Sequence, residues 1–167
     1  MAELPHAEPA LAADISGRVY RINVSSGGVP KHAVDEAELG WGGIDGDGHD
    51  DKEHHGGPDQ ALCIYSIERL RVLRSEGHPA EPGSMGENLT LSGLDTAGLE
   101  PGNRLRVGDT EVELTHYASP CTTIAGSFID GGFSRVLHAR HPGDSRLYAR
   151  VITPGQIHVG DVVVRLR

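Results

Sequence analysis

The strongest indication of a β fold is the segment Leu105-Arg-Val-Gly-Asp-Thr-Glu-Val-Glu-Leu-Thr-His-Tyr-Ala-Ser-Pro-Cys-Thr-Thr123. Apolar runs flank Gly108-Asp109, a dipeptide that favours a tight turn, and therefore predict a β-hairpin. The second strand is expected to end before Pro120, because proline lacks an N–H group and pushes the preceding residue into an extended backbone. A short helix is predicted over residues 122–129, directly after Cys121.

Cys121 is one of only two cysteines in the chain. We expect its thiol to face the unpaired N–H groups and the positive end of the following helix. Such surroundings favour the thiolate, which attacks electrophiles and binds soft metals. A lone cysteine is more often a small buried hydrophobe, and composition alone favours that interpretation. The second cysteine, Cys63, is expected to pack in the core.

On both sides of this hairpin, the chain consists of short apolar runs separated by turns. Its 23 glycines and 10 prolines are typical of many turns between short elements. Seven or eight strands predict a mostly β protein, an antiparallel barrel or sandwich with a few short helices. Ser66 is expected to cap one helix over residues 67–76. Further strands are predicted over 15–24, 61–65, 87–91, 147–152 and 162–166, and another short helix over 134–140.

Length and composition bound the class of protein. The 167 residues suit a flexible arm over 1–14 and a single domain over 15–167. The net charge of −9 argues against nucleic acid or an anionic membrane as a partner. No apolar run reaches the roughly 18 residues of a membrane span. With no signal peptide and no cysteine framework, we expect a cytoplasmic protein, whose oligomeric state the sequence leaves open.

Three polar regions are candidate ligand sites, and each has a plainer interpretation. The loop over 44–60 contains three histidines among carboxylates, but a solvated loop is favoured over a metal cage. Lys31, beside two glycines, either reaches an anion or is a solvated lysine. An arginine cluster near the C-terminus predicts either a phosphate site or surface salt bridges. The cluster consists of Arg135, Arg140, Arg146 and Arg150.

Five motifs in order resemble the MOSC domain, found at the C-terminus of molybdenum cofactor sulfurases and in small stand-alone bacterial proteins. The motifs are His55-Gly-Gly-Pro-Asp-Gln-Ala-Leu-Cys-Ile-Tyr65, Met85-Gly-Glu-Asn-Leu-Thr90 with Ser92-Gly-Leu94, Ser119-Pro-Cys121, Ser145-Arg-Leu-Tyr-Ala-Arg150 and Gly160-Asp-Val162. The resemblance implies a β-barrel and a hallmark cysteine at Cys121. In the family this cysteine is proposed to bind the molybdenum of a pterin cofactor or to carry sulfur as a persulfide.

The resemblance also implies a function. We expect a molybdenum-cofactor protein that reduces N-hydroxylated compounds, for example N-hydroxylated bases, with electrons from an external reductase partner. The alternative is a non-redox sulfur carrier or cofactor-delivery module that uses Cys121. The residues expected to hold pterin and phosphate are Lys31, His55, Gly56, Gly57, Glu87, Asn88, Ser119 and Arg146.

Two departures from the family qualify this expectation. Many members have arginine three residues before the cysteine, where this chain has Ala118. An anion contact is then lost, or is supplied by Lys31 or Arg146. The full sulfurases also contain a pyridoxal-phosphate domain, for which this chain has no room, so pyridoxal phosphate is not expected.

Overall fold

The computed structural model describes residues 15–48 and 57–167, and its main feature is a closed β-barrel. The predicted arm over 1–14 and residues 49–56 of the His-rich loop lie outside the described residues. The strands are β1 (Ser16–Val24), β2 (His32–Val34), β3 (Glu36–Gly40), β4 (Gly43–Ile44), β5 (Leu62–Ser66), β6 (Leu89–Ser92), β7 (Arg104–Val107), β8 (Thr110–Tyr117), β9 (Leu147–Thr153), β10 (Gly155–His158) and β11 (Val162–Arg165).

Seven strands form the barrel, in the order β11-β7-β8-β9-β5-β6-β1, and pairing of β1 with β11 closes it. The described strands pair antiparallel except β5 and β6, which are parallel. Strand β2 extends one end of β1, and β10, β3 and β4 form a separate three-stranded sheet. The predicted barrel is therefore confirmed, and closure leaves no free edge among its seven strands.

Alternating burial explains why these segments form strands. In β7 and β8 every second residue is buried, as expected for a sheet with one face on a core. The predicted hairpin is confirmed, because Val107 pairs with Thr110 across Gly108, which has φ 55°. All five residues of β5 are buried, since Leu62 and Ile64 point into the barrel while Tyr65 packs outside it.

One α-helix, α1 (Ile67–Ser75), connects β5 to β6. Its buried residues Ile67, Leu70 and Leu73 pack in a second apolar cluster on the outside of the barrel. The predicted helix is thus present, but the side chain of Ser66 makes no capping hydrogen bond to it, so that prediction was wrong. The Ser66 hydroxyl lies 3.1 Å from Asp95 Oδ1 instead and accepts the N–H of Thr96 at 3.1 Å.

The two other predicted short helices are present as 3-10 helices. The segment after Cys121 forms a 3-10 helix over Thr122–Ser127, and the segment predicted as helix over 134–140 contains a 3-10 turn over Phe133–Val136. Glycines and β-branched threonines have weak helix propensity, which is consistent with short turns here. Within the part of the chain that the structure describes, no helix is long and apolar enough to cross a membrane.

Candidate functional site

The candidate site lies on the outer face of three neighbouring barrel strands. Cys63 on β5 pairs with Tyr148 on β9, which pairs with His116 on β8. The residues adjacent to this row, such as Leu62 and Ala149, point into the barrel core. Because side chains alternate along a strand, Cys63 and Tyr148 face outward. A register shift between Leu114, which points into the core, and His116 brings His116 to the same outer face, and the three residues form one wall of a cavity.

The cavity has a volume of about 620 Å³, which lies within the usual range for small-molecule sites. The sequence-predicted residues that line it are Lys31, Asn88, Ser119, Cys121 and Arg146. Two others, Gly57 and Glu87, are described but are not among its lining residues. His55 and Gly56 lie outside the described residues.

Cys121 lies between the end of β8 and the first 3-10 helix. It is half-buried, has an extended backbone and is not disulfide-bonded. The predicted helix does follow Cys121, which occupies its N-cap position, but it is a six-residue 3-10 helix. What distinguishes Cys121 is its place in the cavity wall beside the exposed residues Ser119, Thr122 and Thr123.

Arg146 brings a cationic group to the same cavity. Its side chain is 5% exposed, and Nη1 donates to the Met85 carbonyl at 2.9 Å. Its Nε is buried without a hydrogen-bond partner among the described residues. The other arginines of the predicted cluster do not line the cavity, and Arg135 and Arg150 form the expected salt bridges with carboxylates. A buried guanidinium with an unused N–H is suited to an anion or a polar ring edge.

Lys31 lines the cavity as a buried cation that is paired with a carboxylate. It is 7% exposed, so the solvated-lysine interpretation is wrong, and its Nζ lies 2.7 Å from Asp47 Oδ1. Asp47 also accepts the N–H of Ser25 at 3.0 Å and the Asn88 amide at 2.8 Å. This ion pair compensates the charge of Lys31, and it holds Asn88 in the cavity wall. The role of Asp47 was missed, because its sequence context is typical of a solvated loop.

Glu87 lies behind the cavity wall. Its carboxylate is fully buried and accepts the N–H of Gly83 at 2.9 Å and the hydroxyl of Thr90 at 3.3 Å. Burial raises its pKa from 4.5 to about 7. A side chain in this position supports the loop before β6, and its predicted contact with the cofactor stays a prediction.

The wall also contains residues that the sequence did not single out. Cys63 is buried as predicted and lines the cavity as well, and burial raises the pKa of its thiol to about 11. His116 and Tyr148 contact each other with ring centroids 5.0 Å apart, and Gln60 lies beside His116. Their cross-strand register was the missing signal, since it depends on pairing that sequence alone does not fix.

The fold and site together define a small β-barrel protein with a cysteine and a buried arginine in the wall of one outward-facing cavity. The chain belongs to the MOSC domain family, since the model of the MOSC domain matches residues 51–164. This family is associated with molybdenum cofactor binding.

Two curated bacterial proteins are similar in sequence. YflK, an uncharacterized protein of Bacillus subtilis, is 31% identical over 118 residues, covering 70% of this chain and 52% of that protein. YiiM of Escherichia coli is 30% identical over 119 residues, covering 69% and 52%. The chain therefore spans about half the length of the curated relatives it matches.

Solved structures show the same fold. The crystal structure of a hypothetical protein superposes with a TM-score of 0.71 at 25% identity, covering 90% of this chain and 69% of that one. YiiM from Geobacillus stearothermophilus gives a TM-score of 0.68 at 24% identity, covering 90% and 75%.

Proposed function

We propose that this protein binds a molybdenum–pterin cofactor in the cavity and reduces N-hydroxylated compounds there. The observation that carries the proposal is the presence of Cys121 and Arg146 in the wall of one cavity of about 620 Å³. Membership of the MOSC family supports the choice of cofactor. A soft thiolate suits molybdenum, and a guanidinium suits phosphate or a pterin edge.

The residues of the cavity fit such a group. Arg146 has a buried Nε with no partner among the described residues, which a polar ligand would satisfy. Gly86 lines the cavity at φ 74°, and a Cβ there would lie 3.9 Å from Arg146 Nη1. The backbone at Gly86 thus lies next to the guanidinium in the cavity wall. Asn88, fixed by Asp47, adds a polar group to the same wall.

When bound, the cofactor would supply the two-electron redox chemistry. The overall reaction breaks the N–O bond of the substrate, consumes two electrons and two protons, and releases an amine and water. The electrons require an external donor, because the sequence contains no flavin, haem or iron–sulfur motif. In this proposal Cys121 ligates the metal, and Arg146 and Asn88 orient the cofactor.

Molybdenum content tests the proposal directly. The protein is expressed in cells that make the cofactor, and elemental analysis compares the wild type with Cys121→Ser. Cys63→Ala is the matched control, because it removes the other cavity thiol. We expect near-stoichiometric molybdenum in the wild type and the control, and its loss in Cys121→Ser. Reduced methyl viologen and an N-hydroxylated purine then serve to assay turnover. A wild type without molybdenum would refute the proposal.

The alternative function, sulfur carriage, is favoured by the partial exposure of Cys121 and by the exposed residues around it. The thiolate would attack the outer sulfur of a persulfide donor, whose S–S bond breaks as the donor leaves as a thiolate. Intact-mass spectrometry would then show one added sulfur atom on wild-type protein that lacks molybdenum. Cys121→Ser would not gain this mass.

A further inference from the structure

His116 occupies a position in the cavity that the proposed cofactor contacts leave unexplained. It projects from β8 into the row shared with Cys63 and Tyr148. Its ring is tilted against Tyr148, and its Nε2 lies 3.1 Å from Gln60 Nε2. The described residues provide no hydrogen bond to its Nδ1, and this atom is not among the buried polar atoms without a partner. Nδ1 is therefore the ring nitrogen that is accessible to a ligand.

The turn that carries Gln60 is attached to the strand that carries His116. It ends the 3-10 turn over Pro58–Gln60, and the hydroxyl of Thr115 on β8 donates to the carbonyl of Asp59 in that turn at 2.6 Å. The turn is thus attached to the same strand that carries His116. The Gln60 Oε1 is buried without a partner among the described residues, so other contacts do not fix the orientation of the amide.

An amide, like a hydroxyl, is a neutral side-chain group that can both donate and accept, and it can therefore match both protonation states of an imidazole. Its NH₂ group donates to a bare Nε2, and after rotation its carbonyl accepts from Nε2–H. The contact between Gln60 and His116 can therefore persist while His116 gains or loses a proton. A carboxylate would favour the imidazolium, and an apolar residue would favour the neutral ring through desolvation.

We propose that His116 is the proton donor of the cavity, acting through Nδ1, and that Gln60 is the positioning residue that holds Nε2. This rests on the proposed function. When the N–O bond breaks, the electron pair comes from the external donor, and the imidazolium of His116 transfers its Nδ1 proton to the departing hydroxyl oxygen, giving water. A solvent proton completes the amine, and another restores His116. Histidine suits this task because its proton exchanges near neutral pH.

Several other titratable side chains lie around the cavity that His116 lines, on the elements that neighbour it. They are Tyr148 and Arg146 from β9 and the residue before it, Cys63 from β5, Cys121 from the following loop, Lys31 across the cavity and Asp59 in the 3-10 turn. Each would contribute to a pH profile, so the test must identify His116 directly. Ring-nitrogen NMR of His116 does so in the protein without substrate.

The test compares three variants with the wild type. In His116→Gln, we expect kcat to fall about 10²-fold or more with molybdenum content retained, since general acid catalysis contributes about 10²–10⁴-fold. In Gln60→Glu, the titration midpoint of the His116 ring and the pH profile of kcat should move together to higher pH, by about one unit. His158→Gln, on an exposed part of β10, is the matched control and should behave as wild type.

The outcomes separate the two proposals. A His116→Gln protein with wild-type kcat and full molybdenum would overturn the role of His116 and leave the proposed function standing. A ring titration unchanged in Gln60→Glu would overturn the role of Gln60. A wild type that contains no molybdenum and reduces no N-hydroxylated purine would refute the proposed function, and the catalytic role of His116 would fail with it. The NMR titration would still decide whether Gln60 controls the ring.

Discussion

Replacing the buried carboxylate Glu87 by glutamine should make the stability of the protein less dependent on pH. The two side chains have nearly the same shape. The glutamine carbonyl can accept the N–H of Gly83, as Glu87 does now at 2.9 Å. Its NH₂ group can donate to the hydroxyl oxygen of Thr90, which lies 3.3 Å from the carboxylate. Glu87→Gln therefore removes a buried charge, keeps a partner for the Gly83 N–H and reverses the hydrogen bond with Thr90, whose oxygen also accepts from Asn23 at 3.0 Å.

The magnitude follows from the pKa of Glu87. Burial raises it from 4.5 to about 7, and each pKa unit corresponds to about 1.4 kcal/mol. Below about pH 4.5 the Glu87 carboxyl is protonated in both the folded and the unfolded chain. It therefore contributes no pH dependence to the free energy of unfolding in that range. Between 4.5 and about 7 the unfolded chain releases the proton first, so stability falls as pH rises. At pH 8 the wild type should therefore have lost about 3 kcal/mol relative to its stability in acid through this group alone.

Urea unfolding of the wild type and of Glu87→Gln, at several pH values between about 4.5 and 8, measures this effect. The difference in unfolding free energy should change by about 3 kcal/mol across the range, in favour of the variant at high pH. Comparing differences removes the contributions of the other titrating groups, which both proteins share. A difference that stays constant, or that favours the wild type more at high pH, would refute the argument.

Two further substitutions test the packing around the site and the barrel. Lys31→Met leaves the carboxylate of Asp47, 4% exposed, without its cation. The unfolding free energy measured with urea should therefore fall by about 3 kcal/mol. A loss under about 0.5 kcal/mol would contradict a buried pair. Gly17→Ala should cost about 2 kcal/mol, because its Cβ would overlap the Ser92 carbonyl and lie 2.6 Å from the Leu94 nitrogen. Gly42→Ala, which meets nothing within 4 Å, is the control, and equal melting temperatures for both would disprove the clash.

Much of the fold could be predicted because it is encoded locally. The Gly108-Asp109 turn and the alternating residues on either side specify the β7–β8 hairpin, and the spacing of Ile67 and Leu70 specifies the face of α1. Closure of the barrel by pairing of β1 with β11 is a contact between the two ends of the described chain, and residue patterns alone left a sandwich equally open. The sequence also did not determine that the helix after Cys121 is a 3-10 helix, since this depends on how that segment packs.

The site residues that lie in sequence motifs could be predicted, whereas those that reach the cavity only through strand pairing could not. Cys121, Asn88 and Arg146 lie in different motifs, and the structure brings them to one cavity. His116 carried no such signal, because it faces the cavity only through its register with Tyr148. The buried ion pair of Lys31 could not be predicted either, since its partner Asp47 lies 16 residues away in a loop rich in other carboxylates.

The alanine at position 118 links the departure from the family pattern to the geometry of the cavity. Ala118 is buried against Cys63 and Tyr148, and its N–H donates to the Arg146 carbonyl at 2.9 Å. Positions 118 and 146 are thus neighbours, one directly after β8 and the other directly before β9. An arginine at 118 would place a second guanidinium beside the first, at a buried position where like charges repel. Since Lys31 is already paired, Arg146 is the better-placed substitute for the missing arginine, and Arg146→Met should reduce cofactor retention more than Lys31→Met does.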